Sequence, residues 1–237
     1  MRLYKDYIDV AYDSLSPREP IEWSNFWWDS ADKETEKRYL LIGDSTIRMV
    51  RHSLADFLHC PVDMIGSSSN LDDILFVSQV DAFFSSVFYR KYDAVFVQMG
   101  HHGRIGRDGG SFSQRDEEFF ERSLIQFLIF LSQYSKRIIV ESIFDAVVPQ
   151  TKRLDRWLIN NHWKSEVKDF DINRITRRKN EIAHSIVSNL SMENVRFSFL
   201  DINGIMNKTA FLHVDHIHFE AQAIPFIIQK MKEELCS

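Results

Sequence analysis

The sequence predicts an α/β fold, a three-layer α/β/α sandwich around a mostly parallel sheet. Short apolar runs recur along the chain, each of strand length and bounded by polar or turn residues. Helix-length segments with apolar residues at three- and four-residue spacing lie between them. Strand and helix therefore alternate, which builds βαβ units and a parallel sheet with helices on both faces.

Each element is read in order. Residues 1–38 are polar and aromatic by turns, with Trp23, Trp27 and Trp28 ahead of a charged run, and form an aromatic extension packed on the domain. Residues 39–42 make the first strand, which ends at Gly43, and a helical pattern follows over about 46–58. Further strands are expected at 62–65, 94–99, 138–143 and 195–202. Helices are expected at 71–88 and 117–133. Residues 151–190 should form one or two helices joined around Phe170-Asp171, and 220–235 an amphipathic helix that closes the chain. With no internal repeat or low-complexity tract, the 237 residues read as one domain.

Composition narrows the function classes. Hydrophobic residues at 44% and charged residues at 27% are ordinary for a globular chain, and 19 Phe point to an aromatic core. A formal charge of −5 argues against a general nucleic-acid binder. The opening MRLYKDYIDV lacks the apolar centre of a signal peptide, and the strongest apolar stretch, 124–131, is far too short to cross a membrane. Two cysteines, Cys60 and Cys236, make no disulfide framework. These features read as a cytoplasmic protein of a reducing compartment.

In a parallel sheet of this kind ligands sit beyond the carboxyl ends of the strands. Four segments qualify: Gly43-Asp44-Ser45, Gly66-Ser67-Ser68, Gly100-His101-His102-Gly103, and 213–218, which reads HVDHIH. A serine entering a helix from the end of a strand exposes its hydroxyl and turns its own N–H toward any developing oxyanion, where a helix N-terminus favours negative charge. Asp44 or Ser45 can equally be a helix N-cap, a position those residue types favour. The tetrapeptide GDST alone leaves both readings open. Asp215 and His218 stand three residues apart, so on a helical turn they share a face. The carboxylate can then hold one imidazole nitrogen while the other faces a serine, as a general base requires.

With those residues in view, the chain resembles the SGNH (GDSL-like) hydrolase family from about residue 39 onward. Gly43-Asp44-Ser45 matches the first of its four blocks, and Asp215-x-x-His218 matches the last, followed by the small-residue helix entry Phe219-Glu220-Ala221-Gln222-Ala223. The resemblance implies a flavodoxin-like sheet, Ser45 as nucleophile, and Asp215 and His218 as its partners. It further implies that Gly66 is the second-block glycine whose N–H joins the oxyanion hole. The third block departs from the family's Gly-x-Asn-Asp: Gly100-His101-His102-Gly103 puts His102 at the asparagine position. An imidazole N–H can donate to an oxyanion as an amide does, so His102 is the candidate third donor.

Other features have two readings each. His101, His102, His213, Asp215, His216 and His218 are dense enough in imidazole and carboxylate to suggest zinc or iron ligands, but their spacing matches no recognised zinc motif and a metal would leave Gly43-Asp44-Ser45 unexplained. The tryptophan cluster can stack on a sugar or simply dock the N-terminal segment, the commoner use of large aromatics. The segment 151–181 carries nine Lys/Arg against five Asp/Glu, with Trp157 and Trp163 interleaved. It reads as a solvated helical face more readily than as the wall of a cleft. Asp44, Gly100, His101, and Arg104 and Arg107 in the following loop are expected to shape substrate access.

The expected activity is that of a serine esterase acting on a short-chain, acetyl, ester of a carbohydrate or glycan intermediate through an acyl-enzyme. The carbohydrate rests on analogy with the family. No cofactor or metal is required, and the expected partner is a small-molecule or glycan ester, with no nucleic acid. The same residues could pass the acyl group to a sugar hydroxyl instead of water. A carbohydrate-binding protein that keeps the fold without catalysis is the reading from a different class.

Overall fold

In the computed structural model the described residues are 2–8, 23–29, 35–71, 73–86, 91–102, 112–147, 169–215 and 217–237. Arg104, Arg107, Trp157, Trp163, His216 and the first part of the basic segment lie outside them. Six strands form one sheet: β1 (Ser24–Trp27), β2 (Tyr39–Gly43), β3 (Val62–Ser67), β4 (Ala94–Gln98), β5 (Arg137–Glu141) and β6 (Arg196–Leu200). Their spatial order is β1-β3-β2-β4-β5-β6. The last five are parallel in the flavodoxin-like arrangement, while β1 pairs antiparallel with β3. The N-terminal segment thus contributes a strand to the sheet as well as aromatic packing.

The helices are α1 (Ser45–Arg48), α2 (Arg51–Leu58), α3 (Ile74–Phe84), α4 (Gln114–Leu131), α5 (Asp169–Asn189), α6 (Ile202–Met206) and α7 (Ile224–Cys236). Strand side chains alternate between faces, and the apolar ones serve two cores. Leu40, Ile42, Val95, Val97, Ile138 and Val140 pack under α3, α4 and α5. Leu41, Met64, Phe96 and Ile139 pack under α1, α2, α6 and α7. This is the three-layer sandwich. The phenylalanines concentrate in the first core, where fully buried Tyr4 lies 5.0 Å from both Phe127 and Phe130 and 6.4 Å from Phe76. Cys60 and Cys236 are free thiols. Among the described residues no helix is long and apolar enough to cross a membrane.

Helix boundaries follow capping chemistry that periodicity does not report. The helix expected at 117–133 starts earlier, at Gln114, because Ser113 and Asp116 form a reciprocal capping box. Asp73 caps α3 through the Leu75 N–H. The single helix expected at 46–58 is broken into α1 and α2 at Met49-Val50. Four-residue α1 therefore sums too few peptide dipoles for the N-terminal charge effect expected there.

The inward face of α5 is apolar toward its C-terminal half, with Ile182, Ala183, Ile186 and Val187 in the first core, while polar residues of its first half hold two loops at the carboxyl edge of the sheet. Asn180 brackets Ile143 with hydrogen bonds of 2.7 and 2.8 Å, and Asn173 brackets Ala146 in the same way. Each side-chain amide mimics the neighbouring strand that the loop lacks. Next to Asn180, Lys179 is 3% exposed, and its Nζ donates to the carbonyls of Gly100 (3.2 Å) and His102 (3.4 Å). The faces of Phe112 and Phe120 complete its cage, each 5.3 Å from Nζ. The basic segment is thus a solvated face only in part: Arg174, Arg177 and Arg178 are exposed, whereas Lys179 turns into the molecule.

Glu141 ends β5 on the side of the second core and is 3% exposed. Continuing the register Val97↔Val140 by one residue sets it beside Gln98. Burial pushes its carboxyl up from 4.5 to about 8, so it is neutral at pH 7 in the fold. The unfolded chain releases that proton near 4.5, so stability is complete below that pH and falls as pH rises toward 8. Glu141→Gln should flatten this decline, which amounts to a few kcal/mol between the two pH values; denaturant unfolding at several pH values is the measurement. Lys179→Met leaves two loop carbonyls without their donor and should lower stability by about 1–3 kcal/mol, read as a lower denaturation midpoint at unchanged slope.

Candidate active site

The sheet reverses its winding between β2 and β4, because the chain passes from β2 outward to β3 and then returns to β4 on the other side. At such a reversal the loops leaving the two strands part, and a ligand crevice is expected at the carboxyl edge. Gly43 and Gln98 are register partners at this point, and the backbones approach closely. A Cβ on Gly43 would stand 2.4 Å from the Gln98 carbonyl oxygen and 2.6 Å from Ile47 Cγ2, so only glycine fits.

Asp44 follows and is the N-cap of α1. Its Oδ1 accepts the Thr46 N–H at 2.8 Å, and the Thr46 hydroxyl lies 2.7 Å from the same oxygen and 2.5 Å from Gln98 Oε1. Gln98 Nε2 continues to the Ser142 carbonyl at 3.1 Å. Asp44 is buried, so its carboxylate faces the protein rather than a ligand cleft. The two readings of the tetrapeptide are therefore compatible: Asp44 caps the helix, and that cap sets the position of Ser45 at its first residue. At this position the Ser45 N–H has no intrahelical carbonyl to reach.

Asp215 and His218 reach Ser45 from the far end of the chain. His218 Nε2 is 2.8 Å from Ser45 Oγ, and His218 Nδ1 is 2.6 Å from Asp215 Oδ2. The expected helical turn is absent. Asp215 closes the turn itself, its Oδ1 accepting the N–H groups of Ile217 (2.9 Å) and His218 (2.7 Å). A bridge between His213 and Phe219, with Val214 N–H donating to the His218 carbonyl, shuts the base of the loop. Partial burial pushes the Asp215 carboxyl up, but the His218 ring and the two backbone N–H groups outweigh it and hold it well below the usual carboxylate range. An ionised Asp215 selects the Nδ1–H tautomer of His218, which leaves Nε2 as the acceptor for the serine proton. Chemically, the arrangement can deprotonate Ser45 as it attacks and return the proton to a leaving group.

The remaining candidates separate by position. Gly100 has φ +132°, and a Cβ there would meet Ile143 Cδ1 at 2.5 Å, so it is a turn glycine and presents no surface to a substrate. His101 is 5% exposed, with its ring 6.3 Å from Phe144, beneath the crevice floor rather than lining it. His102 is half-buried at the edge of the same loop, whose carbonyls are drawn inward by Lys179. Gly66 lies within β3, paired with Gly43 on one side and Asn25 on the other. Because Ser68 N–H donates to the Trp23 carbonyl, the alternation of an antiparallel ladder makes Asn25 and Gly66 the next hydrogen-bonded pair. The Gly66 N–H is thus directed at β1, away from an oxyanion hole. Its lack of a side chain serves another purpose, since a Cβ would stand 3.1 Å from Trp23 and 3.3 Å from Trp27. Among the described residues no three His, Cys, Asp or Glu converge to hold a metal ion.

Sequence reasoning missed Thr46, Gln98, Lys179, Asn173 and Asn180. For Thr46 a signal existed, since a residue two after an N-cap aspartate receives its hydrogen bond. For Lys179 none did, because it is one basic residue among many.

No protein-family model matches the sequence, and no curated protein matches it. Solved structures do. One is a variant of Axe2, an acetyl-xylooligosaccharide esterase of Geobacillus stearothermophilus, at a TM-score of 0.53 and 13% identity, covering 85% of this chain and 94% of that one. Another is a protein of Bacteroides fragilis assigned as an acylhydrolase, at a TM-score of 0.52 and 11% identity, covering 86% and 88%. At such identities the likeness is one of fold, and it is the fold that the first and last sequence blocks implied: this chain has the SGNH hydrolase fold.

Proposed function

We propose that the protein is a serine esterase that removes short acyl groups, acetyl in the first instance, from a carbohydrate ester. The observation that carries this reading is the unbroken hydrogen-bonded line Ser45–His218–Asp215 at the winding reversal of the sheet. His218 Nε2 takes the Ser45 proton while Oγ bonds to the ester carbonyl carbon. Collapse of the tetrahedral intermediate breaks the C–O bond to the alcohol, which leaves with the proton from His218. Water, deprotonated by the same nitrogen, then cleaves the acyl-serine and releases the acid. The Ser45 N–H and the His102 imidazole are the donors assigned to the oxyanion, and Gly66 drops out of that role.

The acetyl and carbohydrate parts of the proposal draw support from the structural relatives, one of which is named for acetylated xylooligosaccharides. Ser45 is half-buried, so solvent reaches it, as hydrolysis of the acyl-serine requires.

Hydrolysis of p-nitrophenyl acetate against longer acyl esters tests the reading. Wild type should prefer acetate, and Ser45→Ala should lower kcat by at least about 1,000-fold. Labelling by a fluorophosphonate should vanish with it. Activity that survives Ser45→Ala sinks the mechanism. In a second experiment, His102→Ala should cost about 100- to 1,000-fold in kcat, and His102→Asn should recover much of the loss because an amide N–H replaces the imidazole donor. Equal losses in both variants would remove His102 from the oxyanion site.

A further inference from the structure

Two arginine–tryptophan pairs lie side by side on the second face of the sheet, and only one of them is complete. Arg51, on α2, lies over the Trp27 ring at 5.3 Å. Its NH1 is 2.6 Å from Asp29 Oδ2 and 3.3 Å from the Val62 carbonyl oxygen. This guanidinium is partnered: an aromatic face below, a carboxylate and a carbonyl at one edge. Arg48, three residues earlier at the end of α1, lies over the Trp23 ring at 4.7 Å. It is exposed, and no carboxylate among the described residues pairs with it.

The incomplete pair is the one at the reaction site. Arg48 is three residues after Ser45 on α1, so both side chains leave the same helix face. Trp23 enters β1 opposite Ser68, at the carboxyl edge of β3, and its indole crosses Gly66, whose register partner is Gly43. The indole therefore supports the guanidinium from below, close to the end of β2, and no carboxylate among the described residues occupies its N–H groups. A guanidinium oriented in advance loses little further side-chain freedom when it binds an oxyanion. The chain as a whole carries −5 and repels anions at long range, so attraction at this rim has to be local.

We infer that the ester cleaved at Ser45 belongs to an acidic sugar, whose carboxylate or phosphate is held by the open guanidinium of Arg48 above Trp23. The inference rests on the esterase reading and specifies its substrate class. Bidentate recognition at Arg48 places the anion about one helical turn from the nucleophile, which orients the acylated hydroxyl toward Ser45.

Three mono-O-acetyl methyl glycosides that differ only at C6 test it: the glucoside, the glucuronoside and the glucoside 6-phosphate. Acetate release should be faster from an anionic ester than from the glucoside by about tenfold in kcat/KM at low ionic strength. Which anionic ester leads separates a carboxylate from a phosphate. The preference should shrink in about 0.5 M salt, where exposed charges are screened. Arg48→Gln should bring the ratio close to one, and Arg48→Lys should keep part of it, since charge is retained without the fork. Equal slowing of all three esters by Arg48→Gln would make Arg48 a structural brace and overturn the inference while the esterase stands. Should wild type cleave none of the three, the esterase reading fails on these substrates. Calorimetric binding of the deacetylated glycosides to Ser45→Ala then decides the inference by itself, and equal affinity for acidic and neutral sugars overturns it.

Discussion

A parallel sheet ends with every strand presenting carbonyl and N–H groups that no neighbour continues to pair, and in this protein those groups lie where the crevice has to be. Water cannot serve them all, because residues 99–101 after β4 and 142–146 after β5 are buried. The solution is side-chain amides and one ammonium group. Asn173 and Asn180 act as surrogate strands for residues 143 and 146, and Lys179 gathers two carbonyls of the β4 loop. The geometry at Ser45 depends on that edge staying rigid, since the loop held by Lys179 leaves β4, the strand paired with the one that Ser45 follows.

The second support comes from the side of β2. Gly43, Asp44, Thr46 and Gln98 join adjacent strands through a close backbone approach and a short chain of hydrogen bonds ending at the Ser142 carbonyl. Neutral Glu141 sits beside that chain rather than in it. A charged group there would cost far more than a neutral one, because nothing nearby is of opposite sign among the described residues. Fold stability and site geometry therefore share the same buried polar atoms, so substitutions in this layer would be felt in both.

The C-terminal loop reaches the same end by different means. Asp215 commits one oxygen to two backbone N–H groups and the other to His218. A carboxylate used in this way sets the backbone turn and the imidazole tautomer together. That explains why three-residue spacing suffices without a helix: the turn is made by the aspartate whose side chain the imidazole requires. The tryptophans of the N-terminal segment divide similarly. Trp28 stacks on Phe83 at 5.2 Å in the first core, while Trp23 and Trp27 each lie beneath an arginine on the second face. Packing on the core and stacking beneath two arginines are thus both served by β1 and the residues that flank it.

Hydrophobic periodicity made the α/β class, the five parallel strands and the principal helices legible in the sequence, because burial on two faces imposes it residue by residue. The terminal blocks made Ser45, Asp215 and His218 legible as candidates, because each block is a local pattern: a serine where a strand hands over to a helix, and a carboxylate three residues before an imidazole. What the sequence could not disclose were contacts whose partners lie far apart in the chain. Lys179 reads as one more basic residue until α5 is laid against the β4 loop, 79 residues earlier. Gly66 reads as an oxyanion donor until β1 arrives to take its N–H. The pairing of β1 with β3, the break between α1 and α2, and the difference between Arg48 and Arg51 were likewise settled only by tertiary structure. Each is decided by which group occupies a neighbouring strand or helix, and local pattern carries no record of that.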